Sequence, residues 1–420
     1  MVNIGRFEAR DMADYSDIHK ERLIRNFKEL VRIDSVSFKE RKMADRIRRE
    51  LQDLGISVLE DDSAQRTGSD SGNLFAVIPA EGVRPEKTQT LLFMAHMDTV
   101  EPGIGKEAVI HEDGKITSRG TTVLGADDLS AVACILEAVR EIREESLPHG
   151  NIELLFCTAE EAYTTGSSAF DFSLSRADQA FALDCSDVIG SYSTQEPTLL
   201  SFTITVHGRA AHAGFEPEKG ISAVLAASRA ISSLPLGRAD DHSTLNIGLI
   251  EGGTQTNIVP DKVIVRGEIR SSVHEDALSL YERTAAAFRQ EAEALGADCD
   301  CAYTVHLTAY HVAEDDPALL HYQKTLDRLS IPRGSKKNFG GSDCNVVRRK
   351  GIDGICIANP MHDAHTTKEW TTVLDMVQCT AIVKALMTVD TDGSCSRKRK
   401  REERNSLQNE ESTSLSDVGI

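Results

Sequence analysis

The stretch LLFMAHMDTV, residues 91–100, begins as a buried strand and ends in polar side chains. His96 and Asp98 follow the apolar run, and residues two apart on a strand point to the same face. Burying a polar group without a partner costs about 1–3 kcal/mol. The pair is an unusual way to end an apolar strand, so we expect these two side chains to have a purpose beyond packing.

The segments around this strand alternate between strand-like and helical patterns. Short apolar runs occur at residues 73–78, 90–94, 151–157 and 180–184. Between the second and third runs, apolar side chains recur at helical spacing over residues 129–142. Residues 17–54 are also helical in pattern, apart from a turn at 34–37. Strands that alternate with helices predict an α/β fold with a mixed, partly parallel sheet flanked by helices.

A different pattern begins near residue 199. A half-buried strand at 199–206 and a helix at 221–234 come first. Strands at 245–251 and 262–270, a long helix at 274–295 and a strand near 301–309 follow. This order predicts a small α+β unit with helices on one face. After about residue 314 the first pattern returns, with a helix, a Gly-Gly turn, a strand at 354–358 and a final helix.

The change of pattern and its return predict that one domain is inserted into another. We assign residues 1–197 and 313–390 to a catalytic domain and residues 198–312 to an inserted α+β domain. Residues 391–420 contain the charge run SRKRKREER and almost no large apolar side chains, so we expect a disordered tail. The KRKR in this tail could direct nuclear import, although a solvated tail is the commoner role of such a run.

Composition excludes several classes of function. The chain has 420 residues, too many for one ordinary core, and 40% of them are hydrophobic. A net charge of −19 disfavours nucleic acid as a partner. No apolar run is long enough for a membrane span, and the N-terminus lacks the apolar core of a signal peptide. The nine cysteines are scattered without a CxxC pair, so we expect reduced thiols and a cytoplasmic location.

Residues of the kind that bind metals follow several of the predicted strands, where open α/β sheets place their sites. They are His96 and Asp98, Asp127 and Asp128 in GADD, Glu160 and Glu161 in TAEE, Asp184, and His365 in MHDAHTTKEW. Each alone has an ordinary structural explanation. The aspartate pair could cap a helix, and the glutamate pair could form a solvated turn.

Together these residues favour a metal centre, because carboxylates that converge without a cation repel one another. Imidazole and carboxylate ligands suit zinc, with manganese or cobalt as alternatives. There is one carboxylate more than a single tetrahedral ion needs, which suggests two ions. Such a pair can polarise a carbonyl and activate a bridging water. Two adjacent glutamates allow one to bind metal while the other takes the proton from water.

At these residues the sequence resembles the di-zinc peptidase family that includes peptidase T, carboxypeptidase G and aminoacylase-type enzymes. The resemblance covers residues 21–386 and rests on HMDTV, SRGTTVLGADD, TAEE, ALDCSD, and GGSDCNVVRRKGI followed by HDAHTTKEW. Within the family it is most similar to the peptidase T-like branch, because of GTTVLGADD, AHAGFEPEKGISA and HTTKEW. The resemblance implies a zinc exopeptidase-like catalytic domain with an inserted lid that often dimerises.

The same resemblance implies a role for each motif. His96 and Asp184 would bind one metal, and Glu161 and His365 the other. Asp127 would bridge the two metals, and its peptide bond to Asp128 would be cis. Two further roles follow from the motifs. Glu160 would be the general base, and Asp98 would orient His96 and raise its basicity.

The inserted domain carries the residues that the resemblance assigns to substrate. His212 in VHGRAAHAG would stabilise the oxyanion, often in the partner's active site. Asn257 and Arg270 would hold substrate, and Arg270 could receive a substrate carboxylate. A salt-bridged strand residue is the alternative for Arg270. Gly340 and Gly341 would line the pocket, or form an ordinary turn.

Two positions depart from the family pattern. Leu129 stands where peptidase T relatives usually have a lysine, and EEAYTTGS at residues 160–167 stands where a glycine usually follows the glutamate pair soon. Neither position is a predicted metal ligand. They therefore bear on substrate choice rather than on metal binding.

We therefore expect a metal-dependent aminopeptidase that acts on short peptides and forms a homodimer through its inserted domain. The same two-metal chemistry would serve an N-acyl amino acid deacylase or a carboxypeptidase. A non-catalytic member of the family that acts through binding partners is a further alternative. Neither a nucleic acid nor a membrane is an expected partner.

Overall fold

The computed structural model describes residues 18–389. The tail that is predicted to be disordered, with its KRKR run, and the N-terminal segment in which no signal peptide is predicted both lie outside the described residues. Within residues 18–389, no helix has both the length and the apolar character needed to span a bilayer.

The first part of the chain forms strands that alternate with helices, as its pattern predicts. The strands are β1 (Val58–Glu60), β2 (Leu74–Ile78), β3 (Leu91–His96), β4 (Ala108–Ile110), β5 (Lys115–Ser118), β6 (Ile152–Cys157), β7 (Gln179–Cys185) and β8 (Ser191–Glu196). The helices are α1 (Lys20–Val31), α2 (Arg41–Asp53), α3 (Ser63–Thr67), α4 (Ala126–Glu145) and α5 (Thr165–Ala169).

The middle of the chain forms a separate antiparallel sheet. Its strands are β9 (Thr198–His207), β10 (Gly237–Arg238), β11 (Ser243–Gly252), β12 (Lys262–Ser271) and β13 (Asp298–Leu307), and its helices are α6 (Ala223–Ser233) and α7 (His274–Ala294). The strands lie in the order β10-β11-β12-β9-β13. Leu200, Phe202 and Ile204 alternate on β9 and pack with α6 and α7, so one face is apolar and the other polar. The predicted α+β unit is confirmed.

The last part returns to the first sheet. Its elements are β14 (Tyr310–His311), α8 (Pro317–Arg328), β15 (Gly334–Lys337), α9 (Asp343–Arg349), β16 (Asp353–Ala358), β17 (Trp370–Thr372) and α10 (Val373–Met387). Strand β16 pairs in parallel with β7, so the two pieces of the chain share one sheet. That sheet has the order β1-β2-β6-β3-β7-β16-β8-β14, with β15 beside β8. The domain boundaries at 197/198 and 312/313 stay predictions.

Strands β6, β3, β7 and β16 run parallel at the centre of this sheet, and β2 and β8 flank them in antiparallel pairing. The mixed, partly parallel sheet is therefore confirmed. Every residue of β3 and β6 is buried because helices cover both faces, and α4 packs between the sheet and α1 and α10. A small sheet of β17, β5 and β4 was not anticipated from the sequence.

Candidate metal centre

The parallel strands bring three of the predicted site segments to one edge of the sheet. His96 is the last residue of β3 and lies opposite Cys157, the last residue of β6. Glu160 and Glu161 follow β6 directly, and Asp184 lies near the end of β7. Because parallel strands end at the same edge, side chains that are 88 positions apart in the sequence meet here.

Asp127 lies between the two histidines. Its Oδ1 is 3.0 Å from His96 Nε2, and its Oδ2 is 3.1 Å from His365 Nε2. Burial opposes ionisation of Asp127, but its hydrogen bonds with His365 and His96 lower the pKa of this carboxyl. One carboxylate thus presents an oxygen to each imidazole, which is the arrangement that a bridging ligand requires.

The other candidate ligands complete two groups around Asp127. His96, Asp127 and Asp184 offer ligand atoms within 4.8 Å of one another, and so do Asp127, Glu161 and His365. Glu161 Oε1 is 2.9 Å from His365 Nε2. The structure therefore brings together all five predicted metal ligands. Glu160 also lies beside them, in a third such group with His96 and Glu161.

The ionisation of these groups reflects their crowding. Burial, and then the charge of Asp184, raises the pKa of Glu160 well above its usual value. Burial and the charge of Asp127 raise the pKa of Glu161 and of Asp184. Hydrogen bonds to Asp127 and Glu161 raise the pKa of His365 to about 11. Two imidazoles and three carboxylates form a donor set that suits zinc, and a divalent cation would favour the ionised carboxylates over the protonated ones.

Asp98 contacts more groups than the sequence predicted. His96 Nδ1 is 2.9 Å from the backbone carbonyl oxygen of Asp98 and 3.3 Å from its carboxylate. A proton on Nδ1 leaves the Nε2 lone pair free for a metal. The two carboxylate oxygens also accept hydrogen bonds from the backbone N–H groups of Glu160 and Glu161, at 2.9 and 3.1 Å. The hydroxyl of Ser37 donates to the same carboxylate at 2.8 Å.

The start of α4 is held by a residue that sequence reasoning missed. Glu369 accepts hydrogen bonds from the backbone N–H groups of Gly125 and Asp127, at 2.7 and 2.8 Å. The bond between Asp127 and Asp128 is cis, as the resemblance implied. Asp128 accepts a hydrogen bond from the His96 N–H at 3.0 Å and another from the Asn359 side chain at 2.6 Å.

Two other buried charges support the loops of the site. Glu40 accepts a hydrogen bond from the Ala159 N–H at 2.9 Å, just before the glutamate pair. The Lys106 ammonium donates to the carbonyl oxygen of Gly103 at 3.0 Å and to Thr99 at 3.2 Å. Burial lowers the pKa of Lys106 to about 8. No pattern of spacing in the sequence marks Glu40, Lys106, Asn359 or Glu369 as parts of a site.

His212 and Asn257 lie together on loops of the inserted domain. The Ala213 N–H donates to the Asn257 carbonyl oxygen at 2.9 Å. His212 Nδ1 accepts from the N–H groups of Gly214 and Phe215, which leaves the proton of a neutral ring on Nε2. The hydrogen bonds that the structure gives these loops within residues 18–389 join them to each other rather than to the metal ligands.

Arg270 has partners that bear on its predicted role. Its guanidinium donates to Glu268 at 2.6 Å and to the carbonyl oxygen of Phe339 at 3.0 Å. The salt-bridged alternative is therefore present, and the second bond brings Arg270 next to Gly340 and Gly341. A side chain at position 341 would overlap Leu307, with a Cβ 2.3 Å from Cδ1, so only glycine fits there without a shift.

Comparisons with known proteins agree with this architecture. A model of a peptidase dimerisation domain matches residues 194–295, and a model of peptidase family M28 matches residues 73–218. An uncharacterised protein of Bacillus subtilis is 36% identical over 370 residues, covering 88% of this chain and 98% of that protein.

Solved structures with the same architecture include two peptidases. An aminopeptidase PepT from Bacillus cereus has a TM-score of 0.81 and 35% identity, covering 89% of this chain and 99% of its own. A tripeptidase from Staphylococcus aureus has a TM-score of 0.84 and 29% identity, covering 89% and 98%. A dinuclear metal-binding peptidase of the M20 family from Bacillus subtilis shares the fold, with a TM-score of 0.66 at 17% identity over 88% and 97% of the two chains.

Proposed function

Because the chain belongs to the peptidase T-like family of M20 peptidases, we propose that it is a metal-dependent aminopeptidase that cleaves short peptides. One observation carries the proposal. Two histidines and three carboxylates converge at the end of the parallel strands, with the carboxyl of Glu160 beside them. The similar aminopeptidase and tripeptidase structures support a peptide substrate with a free amino terminus.

The ligand assignment follows the two groups of side chains. His96 and Asp184 would hold one ion, Glu161 and His365 the other, and Asp127 would contribute an oxygen to each. When bound, two divalent cations polarise the scissile carbonyl and activate the attacking water. Zinc suits the mixture of imidazole and carboxylate best, with manganese and cobalt as competitors.

Glu160 is the proposed general base. Its carboxyl is buried, and its backbone N–H is fixed by Asp98, so its position beside the ligands is well defined. Burial and the charge of Asp184 raise the pKa of this carboxyl, and a general base is most effective when its pKa lies near the operating pH. Glu160 would take the proton from water and return it to the leaving amine.

His212 is the proposed donor to the oxyanion. The proton on Nε2 is the one that a donor needs, because two backbone N–H groups already occupy Nδ1. Phe215, whose ring packs against His212, is 80% exposed. An exposed loop of this kind fits a role in the active site of a second subunit, where a preorganised donor is worth about 2.7–4 kcal/mol.

The edge of the inserted sheet supports a homodimer. Strand β10 covers only residues 244 and 245 of β11, so the outer edge of β11 beyond them is unpaired within residues 18–389. Leu249 and Ile250 on that edge are 55% and 58% exposed. An open edge with exposed apolar side chains is suited to pairing with another copy of the same strand.

The substrate would lie between the two sheets. Arg270, Asn257, Gly340 and Gly341 remain the proposed substrate residues, and the bond from Arg270 to the Phe339 carbonyl joins two of these segments. Glu268 already neutralises part of the guanidinium charge. A substrate carboxylate would therefore compete with, or share, that contact. The cytoplasmic location, and the absence of nucleic-acid and membrane partners, remain predictions.

A substrate panel tests the proposal and separates it from its rivals. The purified protein is stripped with a chelator, reloaded with zinc, manganese or cobalt, and assayed on tripeptides, amino-blocked tripeptides and N-acyl amino acids. Release of the first residue from free tripeptides alone supports the aminopeptidase. Cleavage of blocked peptides or acyl amino acids instead supports a carboxypeptidase or a deacylase. If no substrate is cleaved under any metal, a non-catalytic role replaces the proposal.

A further inference from the structure

A ring pair joins the loop after the glutamate pair to the inserted sheet. Tyr163 lies two residues after Glu161, and its ring stacks on His306 of β13 with centroids 4.1 Å apart and an interplanar angle of 16°. Tyr163 belongs to the loop that follows β6, whereas His306 belongs to the inserted sheet. The contact therefore joins the two parts of the chain between which the substrate is proposed to lie.

The backbone at Tyr163 adopts a conformation that side chains disfavour. Its φ is 65°, and the next residue, Thr164, has a φ of 50°. The turn is closed by hydrogen bonds from the N–H of Thr164 to the Glu160 carbonyl at 2.6 Å and from the N–H of Thr165 to Ala159 at 3.1 Å. Left-handed non-glycine residues are uncommon and cluster at functional sites. This strained turn within EEAYTTGS holds the ring of Tyr163 against His306.

His306 is fixed on the polar face of the inserted sheet. Its Nε2 is hydrogen-bonded to the hydroxyl of Ser201 at 2.7 Å. Burial lowers the pKa of His306, which keeps the ring neutral near pH 7. The ring is thus a flat, neutral surface, whereas the charges of Glu268 and Arg270 are paired on β12, which is separated from β13 by β9. Tyr163 remains 43% exposed, so it offers surface beyond the part that His306 covers.

We propose that Tyr163 and His306 form a platform that binds an apolar or aromatic side chain of the substrate peptide and so determines specificity. This inference rests on the proposed peptidase function. A flat pair of rings favours an aromatic or branched apolar side chain over a small one, because stacking and burial of apolar surface both add to binding. The location of Tyr163, one turn from Glu160, puts the platform close to the bond that is cleaved.

The test compares peptides that differ in one side chain. Tri-alanine and its three variants with a single phenylalanine are assayed with the zinc-loaded protein, and kcat/KM is measured for each. We expect the wild type to prefer phenylalanine at one position by about 10-fold. In Tyr163→Ala the ratio of the two kcat/KM values should fall close to one, and Tyr163→Phe should retain the preference.

His306→Ala removes the other ring of the platform. It therefore provides a second test of the proposal if Tyr163→Ala does not fold. Tyr303→Ala is the matched control, because Tyr303 is an exposed tyrosine on the same strand whose ring packs on Tyr281. It should leave the ratio unchanged.

Two results would overturn the platform. One is a wild type without any preference for phenylalanine at any position. The other is a uniform loss of activity in Tyr163→Ala and His306→Ala with the ratio retained, which would mean that the stack only holds the two sheets together. Either result leaves the peptidase function standing, whereas a wild type that cleaves no peptide contradicts that function first.

Discussion

At the scale of single residues, the carboxylates of the site have two kinds of partner: some face the proposed metal positions, and others accept hydrogen bonds from the backbone. Asp127, Glu161 and Asp184 point their oxygens at the proposed metal positions. Asp98 and Glu369 instead accept hydrogen bonds from the backbone N–H groups of proposed ligand residues. The second set fixes the geometry of the first, so the two sets should respond differently to substitution.

Replacing the proposed base should separate chemistry from metal binding. We expect Glu160→Gln to lower kcat by about 10²–10⁴-fold, the usual contribution of a general base, with the metal content retained. Steady-state kinetics and elemental analysis of the same sample measure both. Glu153→Gln is the matched control, because Glu153 is a buried carboxylate on the preceding strand that contacts Ser175 and Arg176 rather than the cluster. Full activity in Glu160→Gln would remove the assignment.

Asp98 tests the role of the residues that orient the ligands. Asp98→Asn loses the charge that three hydrogen-bond donors share, so we expect metal affinity or activity to fall about 10–100-fold. His96→Ala should abolish one of the two metal positions. Calorimetric titration with zinc, after a chelator has removed bound metal from each variant, measures the two effects. Negligible changes in both variants would show that the pair is only structural.

At the scale of elements, the end of β3 and the start of α4 are tied by the loop that contains Lys106. This ammonium is buried among oxygens of the loop, and Gly125, with a φ of 76°, lets α4 begin beside it. A side chain at Gly125 would meet Lys106 Cε at 3.2 Å. The loop therefore packs against the helix that carries Asp127.

Lys106 should make the free energy of unfolding depend on pH in the alkaline range. Its pKa is lowered to about 8 by burial, whereas an unfolded lysine titrates near pH 10.4. Between these two pH values the unfolded chain binds more protons than the folded one. The free energy of unfolding therefore rises with pH, by about 1.6 kcal/mol from pH 8 to 9.5. Urea unfolding of the wild type and of Lys106→Met at both pH values measures the difference. Parallel pH profiles for the two proteins would contradict the shift.

The elements also show which parts of the site the sequence could disclose. His96, Glu160, Glu161 and Asp184 end or follow apolar strands, and parallel strand ends meet at one edge, so their convergence was predictable. Glu369 acts on Asp127 across 242 residues, through a loop without periodicity. Only the closed fold reveals that contact. The strand β3 extends to His96, two residues beyond its predicted end. The helix α4 is bounded by Ala126 and Glu145, but Asp127 and Asp128 have non-helical backbone angles, so its regular part begins near residue 129 as predicted.

At the scale of the whole molecule, the inserted sheet could be placed from its alternating pattern, but its relation to the site could not. The sequence marks His212 and Arg270 as polar residues of one unit. The structure shows that Arg270 reaches the Phe339 loop of the other sheet, whereas His212 lies on an exposed loop. The proposed position of His212 in a partner's active site depends on how two chains pack together, and no pattern within one chain encodes that packing.

Complementation between two inactive variants tests whether the site is shared. Glu160→Gln and His212→Ala should each be inactive as homodimers. After mixing and exchange, the heterodimer has one intact site, so we expect activity of about one quarter of the wild type. Adding Leu249→Glu to both variants should prevent recovery, whereas Leu59→Glu, an exposed residue on β1, should not. Inactivity of mixtures in which heterodimers are present would place His212 outside the partner's site.

The most direct test of the central claim is a zinc titration of protein that has been stripped of metal with a chelator. Release of the first residue from a free tripeptide is measured at each zinc concentration. We expect no activity without metal and a rise that ends near two equivalents of zinc per chain, as two groups of ligands that share Asp127 require. A protein that binds zinc in this way yet cleaves no tripeptide, or cleaves it equally well when stripped of metal, would contradict the account.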